Sequence, residues 1–133
     1  MTFIDDVRAA VNRYGATIDA PRDLLRVFDA PQGDGTPYVF AIDEVFFYVI
    51  EERGVVFDRR EAQNLMDLLY WIMRDVVSSM ASNFELKNRM PCGDGRRVIF
   101  KKELELMGAL EEVWYILRKK EIEDILVESP YVD

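Results

Sequence analysis

Between residues 38 and 59 the chain carries three short runs of β-branched and aromatic residues, Tyr38 to Ile42, Val45 to Glu52 and Val55 to Arg59. Only Asp43-Glu44 and Arg53-Gly54 separate them. A two-residue connection is too short for a parallel crossover, so the pattern predicts a tight antiparallel meander. With both connections as two-residue turns, Ile42 faces Val45 and Phe40 faces Phe47, while Glu52 faces Val55 and Ile50 faces Phe57. One face of the sheet then carries Val39, Ala41, Phe46, Tyr48, Ile50, Val55 and Phe57. The other carries Tyr38, Phe40, Ile42, Val45, Phe47, Val49 and Val56. A half-solvated antiparallel sheet alternates apolar with polar residues, and this one does not. Its two apolar faces require cover from helices of the same chain or from a partner, and cover within the chain is the simpler expectation.

Both flanks of the meander read as helical. Thr2 and Asp5 form a capping-box pair around Phe3, Val7, Val11 and Tyr14, a short amphipathic helix expected to stop at Gly15. Asp19 and Pro21 open a second short helix through Leu24, Leu25, Val27 and Phe28, which Pro31 and Gly33-Asp34-Gly35 end. Both are expected at the periphery. Farther on, Leu65, Leu68, Leu69, Ile72, Met73, Val76, Met80 and Phe84 trace one stripe of a long helix. Spanning about 61–88, it would be roughly 40 Å long and would serve as the spine of the core. Ser78, Ser79, Ala81 and Ser82 thin it, which suits a close neighbour or a bend.

Pro91 and two glycines end the long helix. A further helix begins near Arg96 with Val98, Ile99, Leu104, Leu106, Met107 and Leu110. The last uses Val113, Trp114, Ile116, Leu117, Ile122, Ile125 and Leu126 before Pro130, with the joint expected at Gly108 and Ala109. Trp71 and Trp114 sit within helical stripes, as core aromatics do. The expected fold is therefore α+β: an antiparallel β-meander of three or more strands packed with a long central helix, two C-terminal helices and two short N-terminal helices. It is expected as one domain over 1–133, with 1–37 the N-terminal helical segment, 38–60 the meander and 61–133 the helical part.

Composition narrows the function. The 133 residues include 17 Lys plus Arg, 25 Asp plus Glu, one Cys and no His, for a net charge of -8. A hydrophobic share of 50% excludes a disordered chain, so the excess acid lies on a folded surface. Without histidine, His-based triads, most zinc enzymes and the usual general base near neutral pH are out of reach. Residues 96–120 carry 7 basic and 4 acidic side chains, whereas 121–133 carry 5 acidic and none basic. The basic stripe of Lys87, Arg89, Arg96, Arg97, Lys101 and Lys102 is thus compensated, which argues against a nucleic-acid partner. No apolar run approaches the twenty or so residues that span a bilayer. Asp5, Asp6 and Arg8 interrupt any signal-peptide stretch, and one cysteine forms no internal disulfide, so a reducing cytoplasm is the expected location.

The carboxylates lack the spacing of an EF-hand, and a helical di-iron site needs histidines, so no metal and no cofactor are expected. Gly33-x-Gly35 and Gly93-x-Gly95 lack the third glycine and the lysine of phosphate-binding loops and read as turns. Cys92 has no histidine to activate it and reads as incidental. Two clusters remain as candidate partner contacts. Glu51, Glu52 and Arg53 would stand together at a hairpin tip, where they suit charge-assisted contacts or simply keep the tip soluble. Asp94, Arg96 and Arg97 flank a helix start, where guanidinium groups grip an acidic partner group or pair internally with Glu85 or another acid.

Several short motifs follow one another in a recognisable order. Glu52-Arg53-Gly54, Leu68-Leu69-Tyr70-Trp71, Met80-Ala81-Ser82 and Phe84-Glu85-Leu86-Lys87-Asn88-Arg89 are followed by Asp94-Gly95-Arg96-Arg97, Phe100, Leu104, Leu106 and Pro130-Tyr131. Over about residues 38–133 this resembles the immunity protein 63 family of bacterial polymorphic toxin systems. The resemblance implies a cytoplasmic protein without catalytic activity that binds and neutralises a cognate toxin domain. The net charge suits a basic toxin, through steering and occlusion of its phosphate-binding groove. Neither nucleic acid nor membrane is expected as a partner, and the oligomeric state is left open. Two rivals stand beside this reading: a generic interaction or oligomerisation module, and a hydrolase built on Asp and Glu alone, which would need a deep cleft with close carboxylates.

Overall fold

The computed structural model describes residues 2–89 and 91–132. It contains helix α1 (Phe3–Thr17), strands β1 (Tyr38–Ile42), β2 (Val45–Glu52) and β3 (Val55–Ala62), and helices α2 (Leu65–Lys87), α3 (Arg96–Leu110) and α4 (Glu112–Glu128). The fold is α+β, with one antiparallel sheet in the order β1-β2-β3. The chain groups into two compact units, residues 1–16 with 21–73 and residues 17–20 with 74–133.

In the first unit, the Thr2 hydroxyl accepts the Asp5 N–H at 3.3 Å and donates to the Asp5 carboxylate at 2.7 Å, closing the start of α1. Gly15 does not end this helix, which runs on to Thr17. A Cβ on Gly15 would lie 2.5 Å from Leu25 Cδ1, so glycine here permits close approach. Nor is α1 peripheral: Val7, Ala10 and Val11 are buried. The expected second helix shrinks to one 3₁₀ turn, Arg22–Leu25, after which Arg26 is already extended. Val27 and Phe28 leave the helical path because their carbonyls are taken elsewhere. Arg8 donates to the Val27 oxygen through Nη2 at 2.8 Å, and the Val39 N–H donates to the Phe28 oxygen at 2.9 Å.

The meander forms with both two-residue turns. Asp43, Glu44, Arg53 and Gly54 all have φ between 49° and 81°, the left-handed pair of conformations that matches the twist of a hairpin. Ile42 pairs with Val45, Phe40 with Phe47 and Glu52 with Val55, as the turn lengths require. Beyond Val56 the expected register fails. A bulge sets Glu51 against Val56 but Ile50 against Asp58, so Phe57 is inserted without a partner and its expected pairing with Ile50 is lost.

That one-residue slip changes the composition of both faces, because side chains alternate along a strand. Asp58, Arg60 and Ala62 now oppose Ile50, Tyr48 and Phe46, while Arg59 and Glu61 oppose Val49 and Phe47. Both faces are covered at the centre of the sheet, where Phe47, Tyr48 and Val49 are buried. On the Tyr48 face, Phe3 stacks on Phe46 at 5.2 Å and Arg60 lies over both Tyr48 and Trp71. On the Phe47 face, Phe40 stacks on Phe47 at 4.8 Å and the Arg59 guanidinium covers the same ring. Residues 55–57 and Ile42 stay exposed at the strand ends.

β3 extends three residues past the expected end at Arg59, and α2 starts at Leu65 instead of Glu61. Asn64 sets this boundary. Its Oδ1 accepts the Asp67 N–H at 2.9 Å, and its Nδ2 donates to the Asp67 carboxylate at 3.2 Å. Replacing Asn64 by alanine is expected to cost about 1 kcal/mol in urea unfolding, with Asn64→Ser restoring most of it. An unchanged midpoint would show that the sheet alone orders the start of α2.

In the second unit, α2 buries Val76, Val77, Ala81 and Glu85, so its inner stripe passes through Ala81 and Glu85 and leaves Phe84 exposed. The α3–α4 joint falls at Glu111, three residues beyond Gly108, where φ -151° and ψ 133° break the helix. The Glu111 N–H ends α3 on the Met107 carbonyl, and the Glu111 carbonyl accepts the Trp114 and Tyr115 N–H groups that start α4. Trp114 and Met107 are buried on either side of this joint.

Candidate functional site

The β2–β3 turn places Glu51, Glu52 and Arg53 at the end of the hairpin, and the Gly33–Gly35 loop, expected only as a turn, joins them there. The Gly35 N–H donates to the Glu51 carbonyl at 3.2 Å, and the Arg53 N–H donates to the Gly33 carbonyl at 3.3 Å. Gly33 and Gly35 have φ of 82° and 87°, a conformation that costs glycine little, and between them Asp34 lies beside Glu52. Glu51 is half-buried and accepts the Tyr38 hydroxyl at 3.1 Å. Burial, and then the Glu51 carboxylate, push the Tyr38 phenol above its ordinary pKa. Glu52 and Arg53 are exposed.

The same tip carries three apolar side chains that the expected register had placed on the sheet's faces. Val55 is 57%, Val56 53% and Phe57 67% exposed. The bulge thus leaves the Phe57 ring exposed on the strand that follows the charged turn. The alternation of the strand gave no sign of it; the only available signal was the switch from Val-Val-Phe to Asp-Arg-Arg-Glu within one strand.

The second cluster closes largely on its own chain. Asp94 accepts the Arg96 guanidinium at 2.8 Å, the Arg96 N–H at 3.0 Å and the Val132 N–H at 3.1 Å. Arg96 also donates to the carbonyls of Ser129 and Pro130, both at 2.9 Å, tying the start of α3 to the segment after α4. Arg97 is exposed, with its guanidinium 4.2 Å from the centre of the Tyr131 ring. Glu85, the acid expected to pair with this cluster, is held by Arg89 at 2.8 Å. Glu85, Arg89, Asp94 and Arg97 line a cleft of about 350 Å³ together with Cys92, whose thiol is exposed. Elsewhere on the basic stripe, Lys102 pairs with Glu105 and sits over the Phe84 ring.

Among the described residues, no group of three or more His, Cys, Asp or Glu is placed to hold a metal ion. No helix there is long and apolar enough to cross a membrane.

The family model for immunity protein 63 matches residues 43–124. The chain belongs to the immunity protein 63 family. No curated protein and no solved structure shows a significant match. The stretch shared with the immunity protein 63 model opens at the β1–β2 turn and closes within α4, so it contains the whole hairpin tip and the Asp94 loop. Helix α1, the 3₁₀ turn and the Gly33–Gly35 loop that braces the tip lie outside it.

The Asp94 knot of this immunity protein is expected to respond to acid. The Arg96 side chain, then the N–H groups of Arg96 and Val132, hold the Asp94 carboxyl far below its ordinary pKa of 3.8. A carboxyl depressed in the folded state adds stability above its unfolded pKa and loses it as pH falls toward the folded value. Docking of residues 129–132 is therefore expected to weaken below about pH 4. In Asp94→Asn the docking should be weaker at neutral pH and lack that acid transition. The Val132 amide resonance followed through an acid titration reports both, and identical profiles would exclude Asp94 as the tether.

Proposed function

We propose that the chain binds a cognate toxin domain of a polymorphic toxin system and neutralises it in the cytoplasm of the cell that makes both. Membership of the immunity protein 63 family over residues 43–124 carries this reading. It acts by occlusion and not by catalysis. The β2–β3 tip is the principal contact, with Phe57 and Val56 at its centre and Glu51, Glu52 and Arg53 around them. In the second cluster, Arg97 makes the contact, while Asp94 and Arg96 shape the loop that carries it.

The toxin is proposed to be basic, because a net charge of -8 steers a positively charged partner toward the chain. Binding to the toxin domain encoded next to this gene, measured by calorimetry at low and high salt, tests both parts. Complex formation with loss of toxin activity is expected, weakening as salt rises. Absence of a complex overturns the reading, and a salt-insensitive affinity removes its electrostatic part. Charge reversal of Glu51, Glu52 and Arg53, or of Arg97, that leaves protection intact would remove that cluster from the interface.

A further inference from the structure

Asp94 and Arg96 tether the segment that follows α4, and that segment delivers an aromatic ring to Arg97. The Ser129 and Pro130 carbonyls each accept the Arg96 guanidinium at 2.9 Å, and the Val132 N–H donates to Asp94 at 3.1 Å. Tyr131 lies between these tethers, half-buried, with its ring 6.3 Å from that of the buried Phe100. Pro130 stiffens the approach, because its ring fixes φ. The Arg97 guanidinium lies over the Tyr131 ring at 4.2 Å from its centre, closer than Arg96 at 5.5 Å.

The tethers come from Asp94 and Arg96, so docking the segment does not by itself call for a cation at position 97. Arg97 is exposed and lines the cleft of about 350 Å³ beside Glu85, Arg89 and Asp94. The two acids of that cleft are each gripped by another arginine, Glu85 by Arg89 and Asp94 by Arg96, both at 2.8 Å.

We infer that Tyr131 is a positioning residue for the toxin contact: its ring holds the Arg97 guanidinium in the pose in which it grips an acidic side chain of the toxin. The inference rests on the reading above that Arg97 meets the toxin. An unrestrained arginine has many rotamers, and fixing one of them on binding costs affinity. An aromatic face restrains the cation through its charge and not through an oxygen acceptor, so the contact is compatible with a bidentate grip on a carboxylate. Asp94 and Arg96 thus act on the partner through Tyr131 and Arg97.

The free chain and the complex both test this. In the free chain, the Arg97 Nε–H resonance should carry a ring-current shift that Tyr131→Phe keeps and Tyr131→Leu abolishes. In calorimetry with the toxin domain encoded next to this gene, Tyr131→Leu should weaken binding about fivefold, with Tyr131→Phe close to the wild type. Arg97→Ala should weaken it by at least as much, and adding Tyr131→Leu to Arg97→Ala should cost nothing further.

Normal toxin binding by Tyr131→Leu, where Arg97→Ala binds weakly, overturns the inference and leaves the Arg97 contact standing. So does a loss that persists undiminished in the Arg97→Ala background, because Tyr131 then acts directly on the toxin or on the fold. If Arg97→Ala binds normally, the Arg97 contact itself fails and the positioning role falls with it.

Discussion

Arg118→Ala is expected to lower the free energy of unfolding by about 3–5 kcal/mol, the cost of leaving a buried acid without its cation. Glu103 is 1% exposed, and its Oε1 accepts the Arg118 Nε–H at 2.9 Å. Arg118 reaches on to Glu121 at 3.0 Å, and Arg74 closes the chain on the other Glu121 oxygen at 3.1 Å. Burial works against the Arg118 charge, but the hydrogen bonds it donates to Glu103 and then to Glu121 overcome it and keep the guanidinium above its ordinary pKa. Four charges of alternating sign thus link α2, α3 and α4 within the second unit. Removing Arg118 strands Glu103 in a site with almost no water. Glu103→Gln keeps an acceptor and leaves Arg118 paired with Glu121, so it should cost less. The double replacement Glu103→Leu with Arg118→Met should lie much nearer the wild type than Arg118→Ala does, because it removes both desolvation penalties. Urea unfolding of the three variants checks this order. A cost below about 1 kcal/mol for Arg118→Ala would mean that the pair behaves as a solvated surface bridge.

No periodic pattern announces this network, and the reason is general. A glutamate on a helix reads as solvent-facing unless its partner is known, and Arg118 lies fifteen residues away on another helix. The stripe of α3 was therefore expected to bury Leu104, whereas Glu103 is buried and Leu104 only half so. The same logic displaced Phe84 from the inner stripe of α2 in favour of Glu85, which Arg89 neutralises. Where the signal was local, it was readable. Two-residue turns specified the meander and most of its register, and Thr2 with Asp5 marked the start of α1. Where the outcome depended on competition between distant backbone groups, it was not. Phe28 followed β1 instead of a helix, and Glu111 broke the last helix pair without a glycine. The charged candidates at the hairpin tip and near Asp94 were legible as clusters, but their geometry was not. Asp94 and Arg96 face each other, and the exposed ring beside Glu51, Glu52 and Arg53 comes from a bulge that simple alternation does not encode.

That ring is where the largest loss of toxin binding is expected. Phe57→Ala should weaken the complex by about 2 kcal/mol, roughly thirtyfold in Kd, while moving the unfolding midpoint little. The two halves of the expectation follow from one observation. At 67% exposure the ring contributes little to folding, so its truncation leaves the free protein nearly as stable. Buried against a partner, the same ring removes a large apolar surface from water at the loss of only two side-chain torsions. Val55 and Val56 are exposed on the same strand, and Glu52 pairs with Val55 at the hairpin end, beside Asp34. The contributions separate kinetically. Phe57→Ala should act on dissociation, whereas Glu52→Lys at the rim should slow association and reduce its salt dependence. Phe57→Tyr, which keeps the ring and adds a hydroxyl that solvent or a rim group can satisfy, should retain most of the affinity. Stopped-flow binding of the three variants to the toxin domain distinguishes these effects. If Phe57→Ala binds within twofold of the wild type and its toxin remains fully inhibited, the hairpin tip is not the anchor, whatever its charged residues do.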